Sequence, residues 1–225
     1  MENIPKNAGR FIDVSHPVED GMRTYPGLPG PSISEYLSRE KSRRNYAPGT
    51  EFHIGKIEMV ANTGTYLDAP FHRYAGGADI AEISLSRLAD LPGVVVRAFG
   101  RAERAIGLET FDGVDLAGRA VLIHSGWSRH WNTDAYFEGH PYLTEAAAAR
   151  LADGDAALVG IDSLNVDAID GGTRPAHSLL LARGIPIVEH LTGLEALPAA
   201  GFRFFAVPAK MRGIGSFPVR AFALL

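Results

Sequence analysis

An aspartate and a histidine stand four residues apart in the segment ANTGTYLDAPFH, residues 61–72. Asp68 can act as a carboxylate ligand or base, and His72 can carry a proton or bind a metal. Pro70 lies between them and disfavours a regular helix, so we expect the pair on a turn of defined shape. The spacing alone leaves two interpretations open, an Asx-type turn capped by a histidine and a catalytic or metal-binding turn.

His177 and Glu189 are two further candidates for chemistry. His177 precedes the helix-like stretch SLLLARG, and Glu189 ends the apolar stretch IPIVE, where an unpaired buried carboxylate would be costly. Glu189 could also face solvent at the end of a strand. If this strand end meets the Asp68 turn, two carboxylates and two histidines converge, which is a ligand set that suits Zn or Mn. The six remaining histidines are more often structural or surface residues than ligands: His16, His53, His124, His130, His140 and His190.

Aromatic residues supply candidate binding groups. Trp127 and Trp131 follow Gly126 at the end of the apolar stretch AVLIHSG, where loops of α/β proteins often present such groups. Core or interface packing is the alternative for each aromatic, Tyr25 included. The segment GIGS, residues 213–216, lacks the lysine and following helix of a phosphate-binding loop, so we interpret it as a turn.

The elements that would position these residues are mainly strands. Compact apolar or β-branched stretches predict strands in RFIDVSHPV, FHIGKIEMVAN, ADLPGVVVRAFG, AVLIHSGW, ALVGID, IPIVE and FRFFAVPAKM. YLTEAAAARLADG predicts a helix with Thr144 as N-cap and Gly154 at its end, and AHSLLLARG predicts a short helix that stops at Gly184. Residues 31–50 are polar and irregular, and REKSRR within them indicates a solvated loop or helix face. The pattern predicts one mixed α/β domain, residues 1–225, built on a sheet.

Composition excludes several classes of function. The net charge of −4 and the sequence pI of about 6.1 do not indicate the positive surface that binds nucleic acid. The chain contains no cysteine, which excludes disulfides and thiolate metal sites, so any metal would need histidine and carboxylate ligands. The first ten residues lack the apolar run of a signal peptide, and no stretch approaches the length of a membrane helix. We therefore expect a cytoplasmic protein with neither a nucleic-acid nor a membrane partner.

The ordered set of motifs resembles the metal-dependent cyclase family, which includes bacterial kynurenine formamidase and isatin hydrolase. The family motif is HxGTHxDxPxH, and residues 62–72 read NTGTYLDAPFH. Further resemblance lies in DVSHPVEDGMRTYPG, HSGW, GIDSLNVD, HSLLLARGIPIVEHLTGL and GIGSFPVRAFAL, so that it covers nearly the whole chain. It implies an α/β fold of the swivelling type, with a mixed β-barrel-like sheet and flanking helices, and a homodimer or homotetramer in which an aromatic of one subunit approaches the other's pocket.

The resemblance also implies roles for single residues. In the kynurenine formamidase branch the first two motif histidines bind one zinc, the aspartate bridges two, the last histidine donates and accepts a proton, and a later histidine and glutamate complete the site. This chain matches four of these positions: Asp68, His72, His177 and Glu189. Asn62 and Tyr66 stand where the family has histidines. Since an amide is neutral and a phenol binds metal tightly only after losing a proton near pKa 10, we expect the first metal position to be severely weakened.

Three hypotheses for function follow. The first is a hydrolase of a small formamide, lactam or cyclic amide that uses one Zn or Mn ion on Asp68, His177 and Glu189, with His72 as general acid and base. The second is a lyase, isomerase or ring-closing enzyme without a metal, whose acid/base pocket consists of Tyr66, Asp68, His72 and Glu189. The third, a non-catalytic binder of small molecules, is the least favoured because a binder needs no proton-transfer groups.

The substrate is expected to be a small molecule that contacts four residues. Tyr25 stands near the position of a substrate-contacting aromatic in the formamidases. Phe71 and Trp127 would suit a flat or apolar substrate. Asn62 completes the predicted set of substrate contacts.

Overall fold

The computed structural model describes residues 9–100 and 103–225. Within these ranges the chain forms three α-helices, α1 (Arg39–Ser42), α2 (Glu145–Asp153) and α3 (Pro175–Ala182). The strands of the same ranges are β1 (Phe11–Asp13), β2 (Ser32–Leu37), β3 (Ile54–Glu58), β4 (Tyr66–Asp68), β5 (Leu91–Arg97), β6 (Ala105–Ile106), β7 (Ala120–His124), β8 (Tyr142–Leu143), β9 (Leu158–Ile161), β10 (Ile187–Glu189), β11 (Ala200–Phe205), β12 (Ser216–Pro218) and β13 (Phe222–Leu224).

Nine strands form one mixed sheet in the order β1-β13-β11-β5-β7-β9-β10-β4-β12. The four central strands β5, β7, β9 and β10 run parallel, and every other neighbouring pair in this sheet is antiparallel. The sheet curls into a half barrel, and few helices accompany it. The predicted mixed α/β fold with a barrel-like sheet is therefore confirmed.

Strand β7 shows why the central strands are apolar along their whole length. Successive side chains of a strand point to opposite faces of the sheet. Ala120 and Leu122 belong to one core cluster, whereas Val121 and Ile123 belong to a second cluster that includes residues of α2 and α3. Both faces are buried, so the sequence has no alternation of polar and apolar residues. The stretch is a continuous apolar run for that reason.

Both predicted helices are confirmed with their termini. The Thr144 hydroxyl accepts a hydrogen bond from the Ala147 N–H at 3.1 Å, which caps the N-terminus of α2, and Gly154 is its C-cap. Helix α3 is followed by Gly184 with φ of +67°, a left-handed conformation in which glycine is unstrained. These short-range signals are sufficient because capping depends on neighbouring residues alone.

The expectation of an irregular segment at residues 31–50 is wrong for residues 32–45, which form a strand and a short helical segment, whereas residues 46–50 are irregular. The run REKSRR lies in that helical segment and is mostly exposed, as expected. Strand β2 pairs with β3 in an antiparallel hairpin separate from the main sheet, and α1 follows β2. Nearly all residues of both strands are exposed on both faces. Strand β3 lies within FHIGKIEMVAN, where a strand was predicted. Because neither face of β2 is covered within the described chain, its sequence lacks the buried apolar positions that mark a strand.

Among residues 9–100 and 103–225, helices are too short or too polar to cross a membrane. The expectation about a signal peptide concerns mainly residues 1–8, which lie outside the described residues. The cytoplasmic location stays a prediction.

Candidate active site

Three adjacent antiparallel strands, β10, β4 and β12, carry the polar residues of the site. The register places Glu189 of β10 opposite Tyr66 of β4, and Ser216 of β12 opposite Asp68. Tyr66 and Asp68 are two residues apart and therefore point to the same face of the sheet. Leu67 between them points to the opposite face and belongs to the core cluster that also contains Ala120 and Leu122. Strand pairing thus gathers four side chains from three distant parts of the sequence.

The turn after β4 brings His72 against β12. Pro70 opens a single 3-10 turn, Pro70–His72, and the His72 N–H donates to the Ala69 carbonyl at 2.9 Å. A Cβ on Gly215 would lie 2.4 Å from the His72 backbone nitrogen, so the close approach requires glycine at that position. The predicted turn is confirmed, and its proline and the distant glycine together fix where the imidazole lies.

The Ser216 hydroxyl connects Asp68 to His72. It donates its single hydrogen to Asp68 Oδ1, so it acts as acceptor in its contacts with His72 Nδ1 at 2.9 Å and with Asn62 Nδ2 at 3.3 Å. Neutral His72 therefore carries its hydrogen on Nδ1 and keeps a lone pair on Nε2. The chain from Asp68 through Ser216 determines the tautomer of the histidine.

Tyr66 and Glu189 form a short buried hydrogen bond. The Tyr66 hydroxyl donates to Glu189 Oε2 at 2.5 Å, and Asn165 Nδ2 approaches the same oxygen at 3.3 Å. Burial, with the charges of Glu189 and Asp68, raises the pKa of Tyr66 well above its usual value, so the phenol keeps its proton. Burial, reinforced by the charge of Asp68, also raises the pKa of Glu189 to about 7.

Asp167 fixes His177 at the start of α3. Its carboxylate accepts from the Ala176 and His177 N–H groups at 2.7 and 3.0 Å and from His177 Nδ1 at 2.7 Å. The other ring nitrogen, Nε2, lies 3.5 Å from Asp68 Oδ2 and 3.7 Å from Glu189 Oε1. Burial on its own would lower the pKa of His177, but these three carboxylates raise it to about 10.

The residues present fit a single divalent metal. Asp68, His72 and His177 each offer a donor atom, and these atoms lie within 4.8 Å of one another. Asp68 Oδ2 is buried and has no hydrogen-bond partner among the described residues, an arrangement that a cation would satisfy. Two imidazole nitrogens and one carboxylate oxygen suit Zn or Mn.

The predicted metal ligands are Asp68, His177 and Glu189, so Glu189 stands in place of the His72 of this donor group. Its carboxylate accepts hydrogen bonds from Tyr66, Asn165 and the Val166 N–H. A carboxylate offers about four acceptor sites, so Oε1, which accepts only from Val166, keeps one of them. Glu189 and His72 are thus both candidates for the third ligand, and the predicted set stays a prediction.

A cavity of about 230 Å³ opens beside these residues. Five of the predicted site residues line it: Tyr25, Asn62, Tyr66, His72 and His177. Asp68 and Glu189 lie fully buried behind this lining. Phe71 and Trp127 are not among the described residues that line the cavity, and the Trp127 indole N–H donates to the Tyr136 carbonyl at 3.0 Å instead.

Sequence reasoning missed several residues of the site. Ser216 lies in the GIGS segment that was interpreted as a turn, and Asn165 and Asp167 lie in GIDSLNVD, which served only as a resemblance. The only signal for these residues was that a polar side chain lies within a short segment rich in glycine or aspartate. Arg73 and Arg174 also line the cavity. Neither gave a signal, because a single arginine in a polar segment is most often a solvated surface residue.

A cluster of imidazole and aromatic rings lies against Tyr66 of β4. His190 Nδ1 lies 2.9 Å from the Tyr136 hydroxyl, and its ring is 5.2 Å from that of Tyr66. His16 stacks on Trp131 at 3.9 Å. Burial lowers the pKa of His190 to about 3 and that of His16 to about 4, so both rings stay neutral.

Comparison with known proteins gives a consistent result. A family model described as "Putative cyclase" matches residues 12–168, more than half of the chain. Kynurenine formamidase of Geobacillus thermodenitrificans (strain NG80-2) is 29% identical over 213 residues, covering 94% of this chain and 95% of the relative. A solved structure described as a potential metal-dependent hydrolase with cyclase activity is 26% identical, with a TM-score of 0.78 and coverage of 96% and 98% of the two chains. Isatin hydrolase A from Labrenzia aggregata is 23% identical, with a TM-score of 0.81 and coverage of 96% and 93%, and is similar in fold.

Proposed function

The chain belongs to the cyclase family, and we therefore propose that it hydrolyses the carbon–nitrogen bond of a small formamide, lactam or cyclic amide. The observation that carries this proposal is the approach of donor atoms of Asp68, His72 and His177 to within 4.8 Å beside the cavity. The kynurenine formamidase and isatin hydrolase relatives support it. In the reaction the oxygen of a water adds to the carbonyl carbon, the carbon–nitrogen bond breaks, and the nitrogen leaves with a proton.

His72 is the residue that moves the proton. Its side chain is 37% exposed, whereas those of Asp68 and His177 are buried. The Nδ1–H is held by Ser216, so the lone pair on Nε2 is free to accept a proton from water and then to pass it to the leaving nitrogen. Asn62, Tyr25 and Asn165 line the remaining wall and would orient the amide.

Asp68 and His177 would hold the ion, with Glu189 as third ligand. A divalent Zn or Mn ion would supply a Lewis acid for the amide carbonyl oxygen. The chain prepares this position through Asp167, whose bond to Nδ1 of His177 directs Nε2 towards the two carboxylates. This arrangement leaves His72 for proton transfer.

The test is elemental analysis of the purified protein before and after chelation and remetallation, together with hydrolysis assays on an N-formyl arylamine and a small lactam. We expect one equivalent of Zn or Mn per chain, and loss and recovery of activity with the metal. Activity that survives thorough chelation would contradict the metal-dependent mechanism. His72→Gln should abolish activity and keep the metal, whereas His177→Ala should lose both; loss of metal in His72→Gln would make His72 a ligand instead.

A lyase, isomerase or ring-closing enzyme without a metal is the second candidate. It is favoured by the 2.5 Å bond from Tyr66 to Glu189 and by the raised pKa of His177, whose imidazolium would carry the positive charge among the buried carboxylates. Tyr66, Asp68, His72 and Glu189 would then form the acid/base pocket. Protein that binds no tight metal under any condition and eliminates water from a small carbonyl compound would favour this candidate.

We also propose that the chain associates with a second copy of itself, as a homodimer or homotetramer. The β2–β3 hairpin supports this proposal because an isolated two-stranded hairpin is marginally stable. Its exposed apolar side chains include Ile33, Tyr36, Ile54 and Ile57. A partner surface would bury them and would stabilise the hairpin.

A further inference from the structure

Two arginines, Arg73 and Arg174, line the cavity without a carboxylate partner. Neither guanidinium has an Asp or Glu oxygen within 4.0 Å among the described residues. Eight other arginines of these residues each pair with a carboxylate. Both positive charges therefore remain uncompensated beside the reacting groups. An uncompensated charge in a concave site attracts a ligand of opposite charge.

The hydrogen bonds of these two side chains leave donors free. Arg73 uses Nε for the Ser178 hydroxyl at 3.2 Å. Arg174 uses Nη1 for the backbone carbonyls of Ala168, Gly171 and Thr173, at 2.7 to 3.0 Å. The other guanidinium nitrogens of both residues have no acceptor within the described parts of the chain. The three carbonyls hold Arg174 in place, so its free N–H groups form a preorganised donor pair.

The two arginines also line a neighbouring groove of about 640 Å³, formed with Glu145, Thr173, Pro175 and Ser178. Glu145 is a carboxylate of this outer groove, but it does not line the cavity that contains the histidines. They therefore stand between this outer groove and the cavity that contains His72 and His177. A ligand in the cavity would present its reacting amide to the histidines and its far end to the arginines.

The geometry points to an amide substrate that carries a carboxylate, bound by Arg73 and Arg174. This inference rests on the proposed function for the amide and goes beyond it in the charge of the substrate. Tyr25 and Leu28 give the same cavity an apolar wall, which suits an aromatic or aliphatic body between the amide and the carboxylate. A carboxylate is favoured over a phosphate because Asp68, Asp167 and Glu189 are buried near the histidines and would repel a doubly charged group more strongly.

The first test measures binding alone, so it does not depend on any reaction. Benzoate, phenyl phosphate and benzyl alcohol are titrated calorimetrically into the protein, into Arg73→Met and into Arg183→Met, at low and at high salt. Arg183 is the matched control because it is exposed and pairs with Asp153 at 3.1 Å. We expect benzoate to bind about tenfold or more tightly than benzyl alcohol, with a preference that salt weakens, that Arg73→Met removes and that Arg183→Met keeps.

Equal affinity for benzoate and benzyl alcohol would overturn the inference, as would an unchanged preference in Arg73→Met. Tighter binding of phenyl phosphate than of benzoate would overturn the assignment of a carboxylate. The variant Arg174→Gln repeats the test at the second arginine, and Arg73→Lys should restore part of the preference because it restores the charge but not the planar fork.

The second test compares hydrolysis of 2-formamidobenzoate with that of formanilide, which lacks the carboxylate. We expect kcat/KM to be higher for the anionic substrate, and the ratio of the two values to fall about tenfold in Arg73→Met. Hydrolysis that favours formanilide would overturn the inference and leave the proposed function intact. If no amide is hydrolysed while benzoate still binds through Arg73, the proposed function fails and the anion site stands.

Discussion

At the scale of single residues, the Ser216 hydroxyl determines how the imidazole of His72 is held. It is the atom through which the buried Asp68 carboxylate controls His72. Ser216→Ala removes the acceptor for Nδ1–H, so the imidazole would lose both its tautomer and its orientation. We expect kcat to fall about 10- to 100-fold with a smaller change in KM, as for groups that orient a functional histidine.

The measurement is steady-state kinetics with a pH profile of kcat/KM, which should change in Ser216→Ala because Ser216 no longer holds the imidazole in one tautomer and orientation. Ser216→Thr keeps the hydroxyl and should recover most of the rate. An unchanged pH profile together with an unchanged kcat would show that Ser216 has no part in positioning His72.

Tyr66→Phe discriminates between the two candidate functions. Because the phenol keeps its proton and Glu189 retains its bonds from Asn165 and Val166, we expect amide hydrolysis to fall less than about tenfold. A loss of about 10² to 10⁴ in rate, with circular dichroism unchanged, would instead assign Tyr66 as a general acid. That outcome would favour the metal-independent reaction.

Sequence motifs identified Asp68, His72 and His177 as candidates but missed Ser216 and Asp167, which hold the two histidines. The three candidates belong to motifs of the family resemblance, whereas spacing alone left their chemistry open. Ser216 is 148 residues from Asp68, and its role exists only because β12 pairs with β4 in one register. Such a partner cannot be found from spacing along the chain.

At the scale of elements, the cluster of rings against Tyr66 of β4 makes stability depend on pH. His190 and His16 stay neutral when folded, with pKa values lowered by burial to about 3 and about 4. The unfolded chain binds a proton on each near pH 6.5, so the unfolded state holds more protons between these values and pH 6.5. The contribution of these two histidines to stability is therefore full above pH 6.5 and is lost as the pH falls towards 4, by up to about 1.4 kcal/mol per pH unit for each histidine.

His190→Asn tests this account. Asparagine tolerates the φ of +58° at this position, and its amide oxygen can accept from the Tyr136 hydroxyl. We expect the free energy of unfolding, measured with urea between pH 4 and 7, to depend less steeply on pH. The control is His53→Asn, an exposed residue of the segment before β3. Equal slopes for His190→Asn and the parent protein would contradict the account.

Helix α2 and strand β2 show what limits prediction at this scale. The α2 signal is complete within eleven residues, from Thr144 to Gly154, because the cap and the stop lie in the same segment. Strand β2 carries no such signal, since its conformation depends on pairing with β3 rather than on its own burial pattern. Pairing without burial leaves no periodicity in the sequence.

At the scale of the whole molecule, we expect the exposed hairpin to hold two copies together. Ile57 and Ile33 are cross-strand partners and are 61% and 42% exposed. Ile57→Asp would place a charge in the proposed contact, and burial of an unpaired charge is strongly unfavourable. Light scattering after size exclusion should show a smaller assembly for this variant. Leu85→Asp, a change at an apolar residue that is 65% exposed outside the hairpin, should leave the assembly size unchanged, and the same size for Ile57→Asp would argue against this surface.

Strand β12 lies at the edge of the sheet, so this side of the site is expected to have low local stability. This strand has three residues and one neighbouring strand, yet it carries Ser216. Strands of this kind open locally at a free energy well below that of global unfolding. The backbone amide hydrogens near Ser216 should therefore exchange with deuterium sooner than those of β7. On warming, catalytic activity should be lost at a temperature at which most amides of the sheet are still protected from exchange.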